Sequence, residues 1–115
     1  MDTMFDINVL QLKLEVSRNN FKKLVQKIYD QEMKEESKET VLSLLLNGKE
    51  EFTSLMEEAH LFPNVTDELK DVQFSIFDHL LLANDLYTFY NEDLFDRFRL
   101  RFENYNQRQR VNSLL

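Results

Sequence analysis

Apolar residues recur along most of this chain at the spacing of a helix. From about Asp6 to about Met33, Ile7, Leu10, Leu14, Phe21, Leu24, Val25 and Ile28 fall on one face at about 3.6 residues per turn, with Ser17 as a small member of the stripe. The segment VLQLKLEV alternates apolar and polar like a half-buried strand, yet the helical phase passes through it unbroken. A helix is therefore predicted, and Val9, Leu12 and Val16 are left on its opposite side.

A second helix is expected to start at SKETVLSLL, with Ser37 as N-cap accepting the amide N–H of Thr40 or a neighbour. Val41, Leu44, Leu45, Phe52, Leu55, Met56 and Ala59 keep one phase as far as His60. Asn47–Gly48 interrupts them, and because glycine inside a helix costs about 1 kcal/mol against alanine, a kink or break is expected near Gly48. Pro63 punctuates the chain, and Asn64 or Thr66 can cap a third helix running from about Thr66 to Phe89. Its core stripe is Leu69, Val72, Ile76, Leu80, Ala83, Tyr87 and Tyr90, widened by Phe77, Leu81 and Leu86. Asn91 reads as the cap of a fourth helix carrying Leu94, Phe95, Phe98, Phe102 and Tyr105, followed by a polar tail from about Asn106 that is expected to fray.

Four amphipathic helices with short connections predict an all-α fold, an antiparallel four-helix bundle or a close variant, in one domain spanning residues 1–115. The rival is a mixed fold in which VLQLKLEV, VQFSIF and RFRLRF form strands. Composition favours helices: with one glycine and one proline in 115 residues, the chain has few of the residues that tight strand reversals require. The absence of cysteine excludes disulfides and thiolate chemistry and fits a reducing cytoplasm. The opening MDTMFDINV has acids where a secretory leader has bases, and no apolar run approaches a membrane span. A soluble cytoplasmic protein is expected, without membrane contact.

Candidate chemistry is sparse. Glu57 lies three residues before His60, which resembles half of the Glu-x-x-His motif of di-iron carboxylate bundles, but Ile76 occupies the matching place before His79. Glu36 with Glu39 and Glu68 with Asp71 are similar to the paired acids with which all-helical nucleotide pyrophosphohydrolases hold magnesium. The resemblance implies a magnesium-dependent hydrolase as the alternative function. Geometry opposes it, because in an antiparallel bundle the starts of consecutive helices lie at opposite ends, about 30 Å apart at about 1.5 Å per residue. No catalytic residue, metal ligand or cofactor is assigned, since one glycine cannot build a phosphate loop and no nucleophile has a recognisable base beside it.

Charge changes the picture more. The formal net charge is −7, and from Ser37 to Asp93 twelve acids face three lysines. After Asp93 the balance reverses, with Arg97, Arg99, Arg101, Arg108 and Arg110 against Asp96 and Glu103. An arginine–aromatic helix can bind nucleic acid, yet its aromatics lie on its own core stripe and the whole chain repels a polyanion. Nucleic acid is thus the weaker alternative partner.

On the third helix, Phe74, Asp78, Leu82, Asp85 and Phe89 cluster within about 80° of one another, opposite the core stripe. Together with Val9, Leu12 and Val16 they form the expected partner-binding set, with aromatics as anchors and acids steering a protein with a basic surface. The expected function is a non-enzymatic protein–protein interaction module, a small acidic regulator or inhibitor, with homodimerisation through the first helix as one use of its second face.

Overall fold

The computed structural model describes residues 6–114, with side chains as far as Asn112. The acidic opening before Asp6, read above as no leader, lies outside the described residues. The helices are α1 (Ile7–Tyr29), α2 (Lys38–His60), α3 (Asp67–Asn91) and α4 (Phe95–Leu114), and no strand occurs among the described residues. The three alternating stretches are all helical.

Local chemistry sets the helix starts. Asp6 accepts the Asn8 amide at 2.9 Å, Ser37 Oγ accepts that of Thr40 at 3.1 Å, and Thr66 Oγ1 accepts that of Leu69 at 3.1 Å. Each such cap is worth about 1 kcal/mol. Two helix ends use an unexpected device. Gln31 and Asp93 have φ of 62° and 61°, and the bonds Glu32 N–H to Lys27 O and Leu94 N–H to Phe89 O close the C-terminal turns of α1 and α3 around them. Asn91 is accordingly the last residue of α3 and not the cap of α4.

The expected irregularity at Gly48 is absent: α2 runs unbroken from Lys38 to His60. Phe21 explains the residue, since a Cβ built on Gly48 would lie 2.3 Å from the ring's Cδ1. Glycine serves close approach of α1 to α2 and not a break. At the other end of the chain, α4 stays helical beyond Asn106 to Leu114, where fraying was expected.

Side-chain pairs fix the antiparallel registers. Lys38 reaches Asp93 and Lys49 reaches Asn84, each at 3.0 Å, so rising numbers on α2 meet falling numbers on α3. Asp85 with Arg101 and His79 with Tyr105 do the same for α3 and α4. Buried apolar residues from all four helices form a single core, crossed by a chain of rings. Phe21 packs edge-on to Phe52 at 5.6 Å, Phe52 lies 5.5 Å from His79, and His79 lies 5.4 Å from Tyr105. Tyr105 then stacks on Phe102 at 6.3 Å, and Phe102 meets Tyr29 at 5.7 Å, which returns the line to α1. Such pairs contribute about 0.5–1.5 kcal/mol each beyond their buried area, and here they tie all four helices.

Candidate partner-binding surfaces

On α1 the expected second face is exposed. Val9, Leu12 and Val16 retain 42%, 61% and 52% of their accessible surface, at the i, i+3, i+7 spacing of one helical stripe. Leu12, Val16 and Ser17 form one wall of an open groove whose opposite wall, from α2, holds Asn47, Glu50, Glu51 and Ser54. Lys13 bridges the same two helices by pairing with Glu58 at 2.8 Å. Lys23 and Lys27 continue the α1 face as exposed cations.

On α3 the structure divides the predicted set. Phe74 is 68% exposed and Asp78 is exposed, but Leu82 keeps only 2% of its surface and belongs to the core. Asp85 is held by Arg101 at 2.9 Å, and Phe89 is half-buried against the core. The reason is the side on which α4 docks. His79, Leu82 and Leu86 are all buried, and His79 and Asp85 both contact α4, so the core sector of α3 turns further towards α4 than its apolar phase alone indicates. The same rotation frees residues assigned to the core: Phe77 and Leu81 remain 48% and 43% exposed. The exposed apolar stripe of α3 is therefore Phe74, Phe77 and Leu81, again at i, i+3, i+7, with Asp71 and Asp78 exposed on the same helix.

One polar feature was missed by sequence reasoning. His79 is buried, its Nδ1–H donates to the Ser75 carbonyl at 2.7 Å, and its Nε2 accepts from the Tyr105 hydroxyl at 2.9 Å. Burial holds the histidine below its ordinary pKa and raises that of Tyr105, so both are neutral near pH 7. The signal was available: Val72, Ile76, His79, Ala83 and Leu86 share one helical phase. Both hydrogen-bonding atoms of the ring are occupied within the fold, which makes the pair a core hydrogen bond between α3 and α4.

The other candidates do not converge. Glu57 and His60 are both exposed, and no group of three or more His, Cys, Asp or Glu that could hold a metal occurs among the described residues. Glu36 and Glu39 flank the start of α2 while Glu68 and Asp71 open α3, at opposite ends of two antiparallel helices. On α4, Phe98, Phe102 and Tyr105 are buried, and Arg101 is paired with Asp85. Of the α4 rings, Phe98, Phe102 and Tyr105 are held in the core, and Phe95 alone stays open for stacking on a base. Among the described residues, no helix is long and apolar enough to cross a membrane. No family model, curated protein or solved structure gives a significant match to the chain.

Proposed function

We propose that this chain is a non-enzymatic interaction module, a small acidic regulator or inhibitor that binds a partner protein through the outer face of α3. The observation that carries the reading is the stripe Phe74, Phe77 and Leu81, three large side chains exposed in one helical register. Isolated exposed apolar residues are ordinary, whereas a contiguous row with two phenylalanines supplies the anchors around which interfaces concentrate their energy. Asp71 and Asp78 beside it, on a chain of net charge −7, suit a partner with a basic, grooved surface and make association salt-dependent. A chain without cysteine fits work in the reducing cytoplasm.

Co-purification from the native cell, with mass spectrometry of what accompanies the wild type and a Phe74→Gln, Leu81→Gln variant, tests this directly. The expected result is one protein retained by the wild type in low salt and lost with the variant. A partner retained equally by both removes α3 from the interface.

A second reading rests on Val9, Leu12 and Val16, an exposed row of which Leu12 and Val16 line the α1–α2 groove, as a face for a second copy of the chain. Sedimentation of the wild type beside Leu12→Glu, Val16→Glu decides it: a concentration-dependent dimer abolished in the variant supports self-association, and a monomer at all concentrations excludes it.

A further inference from the structure

The end of the bundle where α1 and α3 terminate holds a half-open cavity of about 320 Å³. Its walls are Ile28, Tyr29, Met33, Tyr90, Phe95 and Phe98, joined by Gln31, Lys34 and Arg99. The volume falls within the range of small-molecule sites, roughly 300–1,000 Å³, and the composition matches their pattern of apolar and aromatic walls with few polar groups. Its charge suits an anion. In a chain with 21 acids, the residues lining this cavity include two cations and no carboxylate. Neither Lys34 nor Arg99 enters an ion pair among the described residues.

The walls are also fixed in place. The Arg99 guanidinium lies 4.5 Å from the centre of the Tyr29 ring and donates to the Tyr29 carbonyl at 3.3 Å, so its plane is oriented before any ligand arrives. Tyr29 is anchored in turn by its hydroxyl, which donates to Glu103 Oε2. Tyr90 packs edge-on to Phe95 at 5.4 Å and to Phe98 at 5.9 Å, which gives the opposite wall a rigid aromatic surface. Partial burial raises the Tyr90 pKa and keeps its hydroxyl a neutral donor.

We infer that this cavity binds a small aromatic carboxylate, its ring against Tyr90, Phe95 and Phe98 and its carboxylate on Arg99, with Lys34 at the rim. A planar guanidinium meets a carboxylate through paired N–H donors, and aromatic walls favour a flat apolar body. The inference is independent of the α3 surface, since none of its residues belongs to that stripe.

The probe is 2-naphthoate, titrated into the full chain and followed by tyrosine fluorescence and thermal melting, with neutral 2-naphthamide as its isostere. Saturable binding is expected, with a rise in melting temperature and an affinity at least about tenfold above that of the amide, as a charge-assisted hydrogen bond requires. Arg99→Gln should remove that preference. Because Arg99 also packs on Tyr29, Lys34→Gln, at an exposed position, serves as the second variant and should weaken naphthoate while leaving the amide unchanged. Equal affinity for acid and amide, or no saturation by either, overturns the inference. So does a preference for naphthoate over the amide that is unchanged by Arg99→Gln in a protein whose circular dichroism is unchanged.

Discussion

Gly48 and Phe21 are in mutual contact to a degree that no other residue at position 48 could share. A Cβ there would fall 2.3 Å from Cδ1 and 2.7 Å from Cε1 of the ring. The ring is buried and edge-on to Phe52, so a shift would disturb that contact. Gly48→Ala gains about 1 kcal/mol of helix propensity but must displace this ring, at a cost of about 1–3 kcal/mol. A net destabilisation is expected in urea denaturation. Phe21→Leu in the same chain should reduce it, so that the double variant is more stable than the sum of the single losses.

His79 makes stability depend on pH in a defined direction. Its pKa is lowered in the fold, first by burial and further by the Arg18 charge, with the Ser75 carbonyl and Asp78 acting in opposition. The unfolded chain therefore binds a proton at a higher pH than the native chain does. The stabilisation is present above the unfolded value of about 6.5 and is lost as pH falls towards the folded value, by at most about 1.4 kcal/mol per pH unit. Urea denaturation at pH 7.5 and pH 5.5 should show this loss in the wild type. In His79→Phe, which is less stable at pH 7.5 because Tyr105 loses its partner, the difference should shrink. An unchanged pH slope would show that other groups cause it.

Gln31 sits at φ 62° in the turn that closes α1, a conformation costing an ordinary side chain about 1–2 kcal/mol. Glycine adopts it without strain but loses more freedom on folding, so Gln31→Gly should stabilise by about 0.5–1 kcal/mol. Asp93→Gly should gain less. Aspartate tolerates this region better, and the substitution removes the exposed pair with Lys38. Thermal melting of the two variants gives the order directly, and a destabilised Gln31→Gly would contradict the role of this turn.

These cases show which features the amino-acid pattern carried. Ser37 was legible as a cap, and Thr66 as one of two candidates beside Asn64, because their chemistry acts within three residues, and the face of α1 was legible because its core side is nearly centred on its apolar stripe. Gly48 was not, because the reason for a glycine there is Phe21 on another helix. Gln31 and Asp93 were hidden for the converse reason: the turns that usually call for glycine are made here by other residues. On α3, the phase identified a helix with apolar residues on much of its circumference but could not say from which side α4 approaches. Leu82 and Phe77 consequently exchanged places between surface and core.

The difference in burial along α3 can be tested with one substitution made at two positions. Leu82→Gln places an amide in a site with 2% of its surface accessible, where it loses packing and finds no water, and it should cost more than about 2 kcal/mol. Phe74→Gln, at the most exposed position of the stripe, should change stability by no more than about 0.5 kcal/mol. Glutamine avoids adding a charge beside Asp78, so the comparison reads burial alone. Urea denaturation at two protein concentrations separates the outcomes. Equal losses at high concentration that vanish for Phe74→Gln on dilution would mean that a second copy covers the α3 stripe, leaving no free face for the proposed partner. A small effect at both concentrations leaves Phe74, Phe77 and Leu81 as surface that the isolated chain does not need for folding, as a docking face requires.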